Sequence, residues 1–334
     1  MTGEVARSLY FTGPGAVEIR TEELGPVGPE ELLVETSASG VSPGSELLVY
    51  RGEFPPSLAV DSNIDALDDE FDYPLQYGYA AVGEVVAAGD ALAEGWTGRR
   101  VFAFAPHGDR FLTGTDAVVP LGPELAAETA TLLPSIETAT NLVLDGQPRV
   151  GERVVVFGAG PVGLCTVHLL SQFPLASLIV VEPLARRQEL ATELGADVVR
   201  TPEEQAEASE PAADMVYELS GRPATIDDAI DAVGFDGRVV VGSWYGTKRA
   251  PIDLGGSFHR ERISLVSSQV STIAPGLRGR WDKERRFDTA LAQLERLPAA
   301  ALLGEEVPFE TAPAVYERLD ARETTAPHVV LRYQ

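Results

Sequence analysis

Apolar residues follow two different rhythms along this chain. Up to about residue 122, short β-favouring runs are cut by Gly and Pro, as in Glu31-Leu32-Leu33-Val34-Glu35-Thr36, Val82-Gly83-Glu84-Val85-Val86-Ala87 and Arg100-Val101-Phe102-Ala103-Phe104. That spacing predicts a partly open β-barrel or sandwich. The stretch Val60 to Asp72 is acidic and aperiodic, and is expected to be a surface loop. From about Leu125 strand and helix patterns alternate. Residues 126–144 read as helix, Gly151-Glu152 as a tight turn and Arg153–Phe157 as a strand. Then come a helix from Gly163 to Phe173, a strand Ser177–Val181, a helix Arg186–Leu194 and a strand Ala196–Val199. The strand Asp214–Glu218, the helix Thr225–Val233 and the strand Arg238–Val241 complete the series. Strands apolar on both faces, separated by helices, predict a parallel sheet covered on both sides. Beyond Leu265-Val266 one helix, Arg285–Glu295, and a last strand, His328–Tyr333, are expected.

The turn Gly158-Ala159-Gly160-Pro161-Val162-Gly163 directly follows a buried-type strand and opens an apolar helix. In that context glycines have separate tasks. Gly158 permits the tight turn, Gly160 lets backbone approach a pyrophosphate, and Gly163 lets helix and strand pack closely. Free N–H groups at the helix start, with Pro161 and Val162, then suit phosphates. Glu182 ends the next strand, nineteen residues past Gly163. A carboxylate there accepts hydrogen bonds from ribose hydroxyls and repels a 2′-phosphate, which favours NAD over NADP. Arg186 and Arg187 follow closely, and Arg187 could hold a 2′-phosphate, so NADP stays open.

Composition narrows the function classes. At 334 residues, two domains are the natural division. No apolar run is long enough for a membrane span, and Met1-Thr2-Gly3-Glu4 is not the start expected of a secretory signal. The single cysteine, Cys165, excludes an internal disulfide and a multi-thiolate metal site, and suits a reducing cytoplasm. The formal net charge is −25, with Lys+Arg 26 against Asp+Glu 51. Nucleic acid and anionic membranes are therefore not expected partners. The only lysines are Lys248 and Lys283, which favours a salt-loaded cytoplasm, where carboxylate repulsion is screened, over the alternative of an ordinary acidic enzyme.

With Ala38-Ser39-Gly40-Val41-Ser42 and Tyr77-Gly78-Tyr79-Ala80-Ala81-Val82-Gly83-Glu84-Val85, the chain resembles the medium-chain dehydrogenase/reductase superfamily over nearly its whole length. The resemblance implies an α/β fold, with a Rossmann doubly wound parallel sheet at 125–269 and a GroES-like partly open β-barrel at 1–124 to which 270–334 returns. In zinc alcohol dehydrogenases of that superfamily, a ligand cysteine stands where this chain has Ser42, and a ligand histidine where it has Tyr79. Near Pro134-Ser135, the place of the third ligand, there is no Cys or His. The four-cysteine structural zinc loop is also missing, so no zinc is expected. Ser42-Pro43-Gly44-Ser45-Glu46, Pro106–Phe111, Gly242–Gly246, Leu254–His259 and Ser267–Val270 look like a zinc-lacking subgroup similar to bacteriochlorophyllide-type dehydrogenases. The resemblance also implies nicotinamide contacts at Ser220, Gly221, Gly242, Ser243 and Ser268, and Thr138 near the nicotinamide ribose. It implies a homodimer joined near residues 255–270.

Without a metal, a side chain must hydrogen-bond the reacting oxygen and move its proton. Tyr79 could do so, or pack in the barrel. His107, beside Asp109 in a polar loop, titrates near neutrality, or is a surface histidine. Glu137, expected at the mouth of the cofactor cleft, could bind substrate hydroxyls or relay a proton, or simply favour its helix start. Ser45 and Glu46 are the substrate-binding candidates, and Glu46 also suits a loop-stabilising role. His168, His259, His328 and Cys165 read as structural. The leading expectation is NAD(H)-dependent hydride transfer between nicotinamide and a secondary alcohol/ketone pair. An NADPH-dependent enone or quinone reductase and a non-catalytic dinucleotide-binding protein are the competing readings.

Overall fold

Val154-Val155-Val156-Phe157 is a run of β-branched and aromatic residues, all buried, and it becomes the centre of a parallel sheet. The structure, a computed structural model, describes residues 4–55, 72–209 and 212–334. Of the acidic stretch expected as a loop, residues 60–71 lie outside the described residues. Two compact units divide the chain: Met1–Pro134 with Leu303–Gln334, and Ser135–Leu302.

The first unit is built on β1 (Val5–Gly13), β2 (Ala16–Glu23), β3 (Glu31–Val41), β4 (Leu75–Gln76), β5 (Ala81–Ala88), β6 (Arg100–Ala103), β7 (Arg110–Gly114) and β8 (Val118–Pro120). The second contains β9 (Arg153–Phe157), β10 (Ser177–Val181), β11 (Val198–Arg200), β12 (Ala213–Glu218), β13 (Val233–Val241) and β14 (Ser264–Ser267). β15 (Leu303–Pro308) and β16 (His328–Arg332) return to the first unit.

In the first unit β2-β1-β4 form one sheet, and β15-β16-β3-β5-β6-β8 form another with β7 paired to β3. Leu9, Phe11, Tyr50, Phe309, Tyr316 and Val329 meet in one core. In the second unit the parallel order is β11-β10-β9-β12-β13-β14. Strand order reverses between β9 and β12, which is where such sheets bind ligands beyond their carboxyl ends.

Several boundaries differ from the sequence expectation. The helical stretch 126–144 is two helices, Ala127–Ala130 and Leu133–Gly146. The first packs on β3 and β5, and the next residue, Thr131, bonds His328 at 2.8 Å. Residues 125–134 therefore belong to the first unit. The helix after the glycine turn starts at Pro161 rather than Gly163, because proline's fixed φ suits a first helical position. The return to the first unit comes at Leu303, not at residue 270. The reason is the helix Lys283–Leu294, whose buried face includes Arg286, Ala290 and Leu294. Arg286 is fixed on Glu137 inside the second unit. The tail also holds β15 and a helix Ala312–Asp320 that the sequence reading omitted.

Candidate active site

The second unit gathers most of the expected nucleotide residues at the carboxyl ends of its strands. Gly158 has φ +96°, and a Cβ on Gly163 would lie 2.0 Å from the Gly158 carbonyl oxygen. No side chain fits at Gly163 without moving backbone. Gly160 precedes the helix with an open flank, since nothing lies within 4 Å of where its Cβ would be. Gly160 is the N-cap of the helix Pro161–Leu170, whose first-turn N–H groups have no partner within the helix, and Pro161 occupies a position where a donor would be unpaired anyway.

Glu182 follows β10 and is buried. Its Oε2 accepts from the Ala159 N–H at 2.8 Å and its Oε1 from the Leu184 N–H at 3.0 Å. The carboxylate is thereby locked against the glycine turn. Arg187 is half-buried nearby; burial holds its guanidinium below the usual value, against the attraction of Glu182.

After β12, Gly221 adopts φ +69° and its N–H donates to Ser243 Oγ at 2.9 Å. Its carbonyl accepts from Lys248 Nζ at 2.7 Å. The Gly242 N–H donates to the Glu218 carbonyl at 3.1 Å. Sequence reasoning missed Glu218 itself. It is fully buried, and its carboxylate accepts from the Ser220 N–H at 2.9 Å, from the Ser220 hydroxyl and from the Tyr245 hydroxyl. Burial, then the Glu218 charge, pushes the Tyr245 phenol far up. A signal existed: β10 and β12 both lead straight into a glutamate, Val181-Glu182 and Tyr217-Glu218.

Ser268 Oγ donates to Asp145 Oδ2 at 2.7 Å and accepts from Asn141 Nδ2 at 3.1 Å. Thr138 is half-buried on the helix Leu133–Gly146. Glu137, next to it, is corrected by the structure. It is not a free carboxylate, because Arg286 grips its Oε1 through Nη2 at 2.7 Å and Nε at 3.2 Å. Cys165 is buried, and burial pushes its thiol up to about 12, so it is an inert core residue.

In the first unit, Ser42, Ser45 and Tyr79 converge. The Tyr79 hydroxyl lies 2.5 Å from Ser42 Oγ and 3.1 Å from Ser45 Oγ. All three residues are half-buried. His107 is also corrected: it is no surface histidine but fully buried, between Ser39 Oγ at 2.6 Å and Glu46 Oε2 at 3.1 Å. Glu46 is fully buried as well.

Residues 161–287 match the family described as zinc-binding dehydrogenase. The chain is 28% identical over 266 residues to the 2-desacetyl-2-hydroxyethyl bacteriochlorophyllide A dehydrogenase of Cereibacter sphaeroides, covering 71% of this chain and 74% of that protein. It is 26% identical over 278 residues to the (R,R)-butanediol dehydrogenase of Bacillus subtilis, covering 73% and 77%. The chain is thus similar in sequence to alcohol-type dehydrogenases of the medium-chain dehydrogenase/reductase kind. This dehydrogenase is an NAD(P)-dependent oxidoreductase. Its fold matches an Escherichia coli CFT073 alcohol dehydrogenase structure containing NADH, with TM-score 0.79, 17% identity and coverage of 99% and 100%. A Sinorhizobium meliloti 1021 structure bound to NADP matches with TM-score 0.78, 18% identity and coverage of 98% and 99%.

The family description implies zinc, and the donors present do not fit it. At the two positions that the family resemblance compares with zinc ligands, the side chains are the hydroxyls of Ser42 and Tyr79, bonded to one another. Neutral hydroxyls are poor ligands for a metal that takes thiolate, imidazole and carboxylate. Among the described residues no group of three or more His, Cys, Asp and Glu is placed to hold a metal ion. Among them too, no helix is long and apolar enough to cross a membrane.

Proposed function

We propose that this dehydrogenase is an NAD(H)-dependent, zinc-independent enzyme that interconverts a secondary alcohol and its ketone. The observation that carries the reading is the meeting of Ser42, Ser45 and Tyr79 through their hydroxyls. When bound, the nicotinamide ring takes up or gives the hydride. The chain must supply the proton that a metal would otherwise help to release.

In ketone reduction the Tyr79 O–H donates its proton to the oxygen of the carbonyl as hydride reaches its carbon. The phenolate left behind is stabilised by O–H donation from Ser42 and Ser45, whose hydroxyls rotate freely enough to serve. Alcohol oxidation runs the same transfers backwards. Ser45 and Glu46 stay close to the substrate oxygen in this reading, Ser45 by contact and Glu46 from behind.

Glu182 supports NAD, because a carboxylate locked by two amides cannot swing away from a 2′-phosphate. Gly158–Gly163 would take the pyrophosphate, and Ser220, Gly221, Gly242, Ser243, Ser268 and Thr138 the nicotinamide half. The name of one relative supports the substrate class, since both hydroxyls of (R,R)-butanediol are on secondary carbons. A homodimer is part of the same reading. β14 is the outer strand of the parallel sheet and exposes Leu265, and Ile252 and Leu254 are exposed as well.

The test is a panel of secondary alcohols and ketones in molar KCl, following nicotinamide absorbance with NAD(H) and NADP(H), together with metal analysis. Turnover with NAD(H) and less than about one zinc per chain is expected. A stoichiometric, chelator-sensitive metal overturns the zinc-free reading. Turnover confined to NADPH with enones or quinones overturns the alcohol reading.

A further inference from the structure

Behind the hydroxyl cluster lies a buried carboxylate that proton transfer by Tyr79 does not itself use. Glu46 sits in the first turn of the helix Pro43–Arg51 and is fully buried. Its Oε1 accepts from the Ser42 N–H at 2.6 Å. Its Oε2 accepts from the Tyr316 hydroxyl and faces His107 Nε2 at 3.1 Å. His107 Nδ1 faces Ser39 Oγ at 2.6 Å, and Ser39 Oγ meets the Tyr333 hydroxyl at 2.8 Å.

One proton arrangement satisfies every member. Tyr333 donates to Ser39, Ser39 to His107 Nδ1, and His107 Nε2–H to Glu46. All the O–H and N–H dipoles then point toward the carboxylate, and each strengthens the next. Gly78 makes room for this stack: a Cβ there would sit 2.6 Å from the His107 ring, and its φ is +114°. Two of its partners, Tyr316 and His107, come from residues far apart in the chain and hold Oε2. The third contact is the backbone N–H of Ser42, the residue whose hydroxyl bonds Tyr79.

We propose that Glu46 is a positioning residue for the Tyr79 proton donor. By fixing the Ser42 amide it fixes where the Ser42 hydroxyl stands, and so the direction in which the Tyr79 O–H is presented. This rests on the reading of Tyr79 as proton donor. A donor misplaced by a fraction of its hydrogen-bond length loses rate without losing substrate affinity, because orientation acts on the reacting geometry.

The test is a double-mutant cycle of Glu46→Gln and Tyr79→Phe in molar KCl. The probe is whichever panel compound the wild-type enzyme turns over fastest, beginning with (R,R)-2,3-butanediol and NAD. Tyr79→Phe should lower kcat about a hundredfold. Glu46→Gln should lower kcat about tenfold or more, with KM for NAD unchanged. In the Tyr79→Phe background, Glu46→Gln should have no further effect. Equal losses from Glu46→Gln in both backgrounds overturn the positioning role while leaving Tyr79 as donor. Unchanged kcat in Tyr79→Phe removes the donor reading instead, and the inference with it, as does silence toward the whole panel. If Glu46→Gln fails to fold, Tyr316→Phe, which removes one donor to Oε2, enters the same cycle and must show the same non-additivity, or the inference falls.

Discussion

Arg286 closes on a single oxygen of Glu137, with Nη2 at 2.7 Å and Nε at 3.2 Å, and both residues are buried. Arg286 Nη1 also donates to Asn141 Oδ1 at 2.9 Å. Asn141 in turn binds Asp145 and Ser268. One guanidinium thus ties the helix Lys283–Leu294 to the helix Leu133–Gly146 and, through it, to the residue after β14.

Arg286→Met should destabilise the fold by about 3–5 kcal/mol, because it strands a buried carboxylate. Burial already raises the Glu137 pKa, and Arg286 opposes that rise. Without Arg286 the folded-state pKa climbs further above its unfolded value. The penalty is then full at neutral pH and shrinks as the pH falls and Glu137 takes up a proton. Denaturant unfolding of the variant at two pH values checks both size and sign. Adding Glu137→Leu to Arg286→Met should recover much of the loss.

Glu182→Ala should move cofactor preference toward NADP by about tenfold, the size of a lost repulsion of about 1.4 kcal/mol. Comparing kcat/KM for NAD and NADP in both proteins measures it. An unchanged ratio would remove Glu182 from ribose recognition.

His328 gives the fold an acid limb. It is buried in β16, with Nε2 bonded to Thr131 and Nδ1 without a hydrogen-bond partner. Burial lowers its pKa from 6.5 to about 4. The unfolded chain therefore binds a proton in this window that the folded chain refuses. Stability from this group is constant above the unfolded value and falls as pH drops from 6.5 to about 4, by up to about 3 kcal/mol. His328→Gln should flatten that part of the unfolding-versus-pH curve, even if it lowers stability at neutral pH.

Molar KCl should raise the unfolding midpoint. With a net charge of −25, mutual repulsion of carboxylates opposes the compact state, and the Debye length shrinks to about 3 Å at 1 M salt. Thermal unfolding in dilute buffer and in KCl compares the two. Equal midpoints would remove the salt-adaptation argument.

The glycine turn was legible because its chemistry is local. Gly158, Gly160 and Gly163 are read against φ and close approach within six residues, and Glu182 against the end of one strand. The helix Ala312–Asp320 carries a local signal, since its buried residues Ala312, Val315, Tyr316 and Leu319 fall at helical spacing, but Pro and Glu in the surrounding tail weaken it. β15 was harder, because its exposed and half-buried residues alternate with no fully buried position.

The sequence alone determined the glycine turn between a strand and a helix, the alternation of strands and helices, and the hydroxyl side chains at Ser42 and Tyr79. Each of these depends on neighbours a few residues away, or on residue type at a motif position. The tertiary structure decided that His107 is a core residue bound to Glu46, that Tyr316 reaches the same carboxylate, and that Glu137 belongs to Arg286. Those pairs are separated by 61, 270 and 149 positions. Periodicity reports which face of an element is buried, but not which distant side chain it meets there.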